Sequence, residues 1–193
     1  MSGGTIARAA TTVREGGLIV YPTDTVYGLG CDPFNKDSVN RLYAAKGREA
    51  KAVPVLCSTV RKAGELVDLS PRAMDLARMH WPGPLTIVAP LRMRVPDMLS
   101  QGPYLGVRVP NHRGCLELIA ACGGWLSGTS ANISGRPSAR SAKEALNQLG
   151  DSVDLILDGG PSGGIESTVV RVLGNDIALL RTGPIGVGTE MKG

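Results

Sequence analysis

Four polar segments hold the side chains of this 193-residue chain that could do chemistry. The first is Tyr21-Pro22-Thr23-Asp24-Thr25-Val26-Tyr27-Gly28-Leu29-Gly30, which places two threonine hydroxyls, a carboxylate and two glycines directly after an apolar run. Ligands of α/β proteins bind at strand ends, so this is a candidate ligand loop. A polar turn whose Thr and Asp side chains satisfy backbone groups fits the same residues. The second is Lys46-Gly47-Arg48, in a stretch from Lys36 to Lys51 with five basic residues against two acidic ones. An Arg grips phosphate bidentately and a Lys acts on it as a point charge, so the pair could clamp a polyphosphate. Basic residues also suit a helix C-terminus through the dipole alone.

The third segment runs from Ser127 through Ser130, Asn132 and Ser134 to Ser138. It offers hydroxyls, an amide and exposed backbone N–H groups to an anion, or is simply a long Gly/Ser loop. The fourth set is dispersed: Arg108 inside Val107-Arg108-Val109, Ser167 inside Glu166-Ser167-Thr168, and Arg181 before Thr182-Gly183. A charge in an apolar strand needs a partner or a ligand, unless it lies on a solvated face.

Other chemistries find no support. The order G-x-x-x-x-G-K-[ST] is absent, as is G-x-S-x-G, so neither a Walker A loop nor a hydrolase elbow is indicated. His80 and His112 have no partner at triad or metal spacing and read as structural. Cys31, Cys57, Cys115 and Cys122 form no CxxC pair and read as plain thiols of a reducing compartment. Two tryptophans, four tyrosines and one phenylalanine are few for a base-stacking surface.

The elements that must position these segments alternate. Helical spacing marks Ile6-Ala10-Val13, Val39-Leu42-Tyr43 and Leu116-Ile119-Ala120. Ser70-Pro71 starts a helix, and Ser141-Ala142-Lys143-Glu144 reads as a capping box for one that closes at Gly150. Short apolar strands are expected at 18–21, 53–57, 85–89, 105–109, 125–126 and 153–157. A terminal hairpin over 168–181 turns at Gly174-Asn175. The pattern predicts an α/β fold, a mixed sheet in one domain over 1–193. A hydrophobic fraction of 42% and a charged fraction of 20% suit a globular chain. With no apolar run near the roughly 20 residues of a membrane span, a cytoplasmic protein is expected. The net charge of +4 fits an anionic ligand or nucleic acid, and equally plain solubility.

Taken together and in order, these segments resemble the YrdC family of threonylcarbamoyl-adenylate synthases. The resemblance rests on Pro22-Thr23-Asp24-Thr25-Val26-Tyr27-Gly28-Leu29, Lys46-x-Arg48, Trp81-Pro82-Gly83-Pro84-Leu85-Thr86, Val107-Arg108-Val109-Pro110, Ser130-Ala131-Asn132-x-Ser134-Gly135, Glu166-Ser167-Thr168 and Arg181-x-Gly183. It implies the short, single-domain form, with a twisted, open mixed sheet, flanking helices and a concave, positively charged cavity. It also implies a reaction in which L-threonine, bicarbonate or carbon dioxide, and ATP with Mg²⁺ give threonylcarbamoyl-adenylate and pyrophosphate. A separate transferase complex would pass the threonylcarbamoyl group to transfer RNA. By motif, Thr25, Arg108 and Ser167 carry over to threonine. Lys46, Arg48, Ser130, Asn132, Ser138 and Arg181 carry over to ATP, with Lys46, Arg48, Ser130 and Asn132 as the catalytic set.

No protein nucleophile is needed for that chemistry, because the carbamate itself attacks the α-phosphorus. Positioning and fixed positive charge would carry the catalysis. Two departures touch one wall of the site. Members commonly have Pro after Lys-x-Arg and then Asn-Pro-Leu; here Glu49 follows Arg48, and Ala52-Val53-Pro54 comes later. Cys57 stands where some members place a histidine near threonine. The alternatives are a noncatalytic binder of double-stranded or transfer RNA, using the basic stretches Lys36–Lys51 and Arg136–Lys143, and a relative acting on carbamoyl-adenylate.

Overall fold

The computed structural model describes residues 1–47, 51–100 and 102–187. Along the chain the helices are α1 (Gly3–Arg14), α2 (Lys36–Ala45), α3 (Val60–Leu66), α4 (Pro71–His80), α5 (Arg113–Ala121) and α6 (Ala142–Leu149). The strands are β1 (Ile19–Tyr21), β2 (Gly28–Gly30), β3 (Val55–Cys57), β4 (Leu85–Pro90), β5 (Tyr104–Arg108), β6 (Trp125–Ser127), β7 (Thr129–Ser130), β8 (Leu155–Ile156), β9 (Thr168–Leu173) and β10 (Asp176–Arg181).

Helix starts follow the capping residues. Ser2, Asn35, Thr59, Ser70 and Ser141 each accept a backbone N–H of the first turn through a side-chain oxygen. His112 does the same for α5, its Nδ1 taking the Cys115 N–H at 3.1 Å, so its role is structural. The capping box of α6 is skewed. Ser141 takes the Glu144 N–H at 3.2 Å, but the Glu144 carboxylate returns to the Arg140 N–H at 2.7 Å rather than to Ser141.

The expected single mixed sheet is two mixed sheets. One has the order β7-β2-β1-β8, the other β10-β9-β4-β5-β3-β6. The chain crosses between them at Gly128, where β6 ends in the larger sheet and β7 begins in the smaller. A Cβ there would lie 2.6 Å from the Leu56 side chain. Strands β2 and β7 lie inside segments that read as loops. At two or three residues each, Gly28-Leu29-Gly30 and Thr129-Ser130, they are too short to show a strand period; β2 is ordered by pairing to β1, and β7 by pairing to β2.

Two apolar clusters hold the sheets. Ile6, Ala9 and Val13 of α1 meet Cys115, Leu118 and Ile119 of α5 over Ile19, Tyr21 and Leu126. The larger cluster gathers Leu42, Leu66, Leu76 and Leu85 with the inward residues of both sheets. Within β5, Leu105 and Val107 are fully buried while Tyr104, Gly106 and Arg108 share the opposite face. That opposite face is the floor of the candidate site.

Candidate active site

A cavity of about 610 Å³ lies between the two sheets. The polar walls come from the β1–β2 turn and β7 on one side, and from β4, β5, β9 and β10 on the other. Thr25, Lys46, Arg108, Ser130, Asn132, Ser167 and Arg181, dispersed over more than 150 residues of sequence, all line it. Pro54, Val88, Gly106, Val169 and Leu180 make its other end apolar. Arg48 and Glu49 lie outside the described residues.

At the deep end stands Arg108, only 5% exposed. Its Nε donates to the Gly83 carbonyl at 2.9 Å, Nη1 to Thr25 Oγ1 at 3.0 Å and Nη2 to Asp24 Oδ1 at 2.5 Å. The Trp81-Pro82-Gly83-Pro84 turn is therefore an arginine holder. Its Trp81–Pro82 bond is cis, Trp81 Nε1 donates to the Leu85 carbonyl at 2.6 Å, and the Gly83 N–H donates to the Val109 carbonyl at 2.8 Å. On the facing turn, Thr23 Oγ1 lies 3.0 Å from Thr25 Oγ1 and donates to the Val26 carbonyl at 2.7 Å. Three fixed acceptors leave the guanidinium one orientation, with N–H groups to spare for a carboxylate.

Lys46 caps the end of α2 and is 1% exposed. Its ammonium donates to the Ser130 carbonyl at 2.6 Å, the Asn132 carbonyl at 2.9 Å and Asn132 Oδ1 at 3.3 Å. The Asn132 amide donates in turn to the Ile133 and Arg136 carbonyls at 3.0 and 2.6 Å. The Ser134 N–H donates back to the Lys46 carbonyl at 3.0 Å. A buried charge is tolerated only with such saturation, and here it also curls the serine loop around the end of α2.

At the third corner one carboxylate, Glu166, collects several donors. Ser138 Oγ donates to its Oε1 at 2.6 Å, and Arg181 Nη1 pairs with its Oε2. Burial raises the Glu166 pKa, but the Ser138 hydroxyl, the Arg181 charge, the Ser130 hydroxyl and the Lys46 charge more than offset that and hold it below the ordinary carboxylate value. Ser138 thus stands behind Glu166 rather than in the cavity wall. Arg181 also donates through Nε to the Ser167 carbonyl and through Nη2 to Ser167 Oγ, both at 3.0 Å. Ser167 Oγ lies 2.9 Å from Thr86 Oγ1. Gly183 follows because the chain turns back hard against this corner: a Cβ there would sit 2.3 Å from Thr168 N and 2.6 Å from the Glu166 carbonyl.

Asp24, Gly83, Thr86 and Glu166 sit inside quoted motifs, yet sequence reasoning assigned none of them to a substrate. Only the pairing of distant segments reveals what they touch. The cysteines are unpaired. Burial pushes the Cys31 thiol up to about 12 and Cys122 to about 11, and raises Cys57 and Cys115 as well, so none is a ready nucleophile. Cys57 is wholly buried in the larger core. Pro54 and Ala52, from the departing segment, do reach the cavity.

A family model described as "Telomere recombination", covering Sua5, YciO and YrdC, matches residues 11–183. The chain belongs to the Sua5/YciO/YrdC family. This family member is 39% identical over 169 residues to a threonylcarbamoyl-AMP synthase of Halorhodospira halophila, covering 86% of this chain and 88% of the relative. It is 37% identical over 188 residues to the threonylcarbamoyl-AMP synthase of Bacillus subtilis, covering 93% of this chain but 54% of the relative. The chain therefore spans about half the length of that longer relative. The crystal structure of Pyrococcus abyssi Sua5 complexed with L-threonine superposes with a TM-score of 0.88 at 37% identity, over 92% of this chain and 54% of that one. The α/β architecture with twisted open sheets and flanking helices is the family's fold. No helix among the described residues is long and apolar enough to cross a membrane.

Proposed function

We propose that this chain makes threonylcarbamoyl-adenylate from L-threonine, carbon dioxide or bicarbonate, and ATP, releasing pyrophosphate. One observation carries the reading. Thr25, Arg108 and Ser167, which the family resemblance gives to threonine, line the same cavity as Lys46, Ser130, Asn132 and Arg181 of the set it gives to ATP, and the two meet at Ser167 and Arg181. The relatives named threonylcarbamoyl-AMP synthase and the L-threonine complex of Sua5 support the same assignment.

In this reading Arg108 and Thr25 take the threonine carboxylate, with Ser167 beside them. The threonine amine attacks carbon dioxide and loses a proton, giving a carbamate. A carbamate oxygen then attacks the α-phosphorus, and the bond to the pyrophosphate oxygen breaks. Lys46, Arg48, Ser130, Asn132 and Arg181 hold the nucleotide in line, with Ser138 acting through Glu166. Burial of the Lys46 ammonium makes its field strong at the developing charge. Mg²⁺ enters with ATP as its counter-ion. Among the described residues no group of three His, Cys, Asp or Glu side chains could hold a metal by itself. The labile adenylate passes to a cytoplasmic transferase complex that modifies transfer RNA.

Arg108 weighs against a purely RNA-binding reading. It is buried in three hydrogen bonds and faces an interior cavity, where a polynucleotide backbone does not reach. The test is pyrophosphate release with ATP, Mg²⁺, bicarbonate and each amino acid in turn. Threonine should be preferred; equal turnover with alanine and valine overturns the assignment.

A further inference from the structure

We propose that Glu166 is an internal anion that holds the polyphosphate subsite and exchanges with the ligand at Arg181 Nη1. The inference rests on the functional reading above and adds a residue to it. Two groups given to ATP by the resemblance, Ser138 and Arg181, hydrogen-bond to this one carboxylate, and the nearby Lys46 charge favours its ionised form. Donors that converge on the two oxygens of a carboxylate offer a phosphate group similar charge-assisted bonds. A second anion cannot join the cluster without repulsion, so one of the two must yield.

The surroundings say which bond gives way. The Glu166 backbone is fixed, because Gly183 packs against its carbonyl with no room for a Cβ. Its side chain is 33% exposed and that of Arg181 is 45% exposed. The buried Asp24–Arg108 pair, at 12% and 6%, has no such freedom. Arg181 needs no rearrangement when Glu166 leaves. Its Nε and Nη2 stay on the Ser167 carbonyl and hydroxyl, and only Nη1 changes partner. The carboxylate thus keeps Arg181 aligned in the empty site and is a built-in competitor for the incoming anion.

The test is calorimetric titration of the full chain with inorganic tripolyphosphate in EDTA. Glu166→Gln and Glu166→Ala remove the charge and should both bind about five- to tenfold more tightly than the wild type, the effect of deleting one partly exposed competing charge. The pair is half exposed, so at least one of the variants folds as judged by far-UV circular dichroism, and either suffices. In an Arg181→Gln background the gain should shrink to less than about twofold, because the exchange site is gone. Tripolyphosphate binding that is equal or weaker in the charge-free variants overturns the inference alone. An undiminished gain in the Arg181→Gln background also overturns it, since the carboxylate would then act by bulk charge. Failure of every protein to bind tripolyphosphate overturns the functional reading together with this inference.

Discussion

Arg181 reaches Ser167 twice, its Nε donating to the Ser167 carbonyl and its Nη2 to the Ser167 hydroxyl, each at 3.0 Å. A residue proposed for the nucleotide is thus bonded to one proposed for the amino acid. The hydroxyl also meets Thr86 Oγ1 at 2.9 Å, so it is held from both sides before any substrate arrives.

Ser167→Ala removes that shared hydroxyl and leaves the carbonyl bond. The threonine concentration for half-maximal rate should rise about tenfold, and that for ATP about threefold, as expected for losing hydrogen bonds to a charged group. Steady-state kinetics in both substrates decide it: an ATP dependence that stays put means the two sites are independent.

Arg108→Ala should raise the threonine requirement by roughly 10–100-fold, the loss of a charge-assisted pair. It also strands Asp24, whose Oδ2 already lacks a partner. The expected cost is about 3–5 kcal/mol of stability, and a large drop in melting temperature. Adding Asp24→Asn should restore most of the melting temperature without restoring the threonine dependence. Recovery of both in the double variant would mean that Arg108 serves only to neutralise Asp24.

Gly183→Ala forces a Cβ against the Thr168 nitrogen and the Glu166 carbonyl, which are backbone atoms and cannot swing aside. Overpacking of this kind costs about 1–3 kcal/mol, or roughly 3–10 °C in melting temperature for a chain of this size. The half-saturating ATP concentration should rise as the Glu166–Arg181 corner is displaced. A melting temperature and ATP dependence equal to wild type would show that the corner yields freely.

Stability should fall in acid through Asp154. Burial raises its pKa, but the Leu18 N–H at 2.6 Å and the Arg41 guanidinium at 2.9 Å more than offset this and depress it. A carboxylate depressed in the folded state contributes stability above its unfolded pKa of about 3.9, and loses it as pH falls through the lower folded value. Melting temperature should therefore drop between about pH 5 and pH 3. Asp154→Asn should lower the melting temperature at pH 7 and flatten the slope over that window. An unchanged slope assigns the acid sensitivity to other carboxylates.

Much of the fold is written locally. The caps at Ser70 and Ser141, the helical spacing of Val39, Leu42 and Tyr43, and the hairpin turning at Gly174 are encoded within a few residues. Each depends on one turn of chain or one strand pair. The family motifs too were legible, because they keep their order along the chain, and most of the residues they name line one cavity. What tertiary structure alone decided is which motif touches which. Nothing near position 108 announces Asp24 and Gly83 as its acceptors, 84 and 25 residues away. The division into two sheets was hidden as well, because β2 and β7 are only three and two residues long, too short to show a strand period, and β2 is two-thirds glycine. Glu166 reads as an ordinary charge beside a strand until Ser138 and Arg181 close around it. Short-range propensity acts along the chain, whereas ion pairs and buried hydrogen bonds depend on proximity in space, and only packing brings these residues within a bond length of one another.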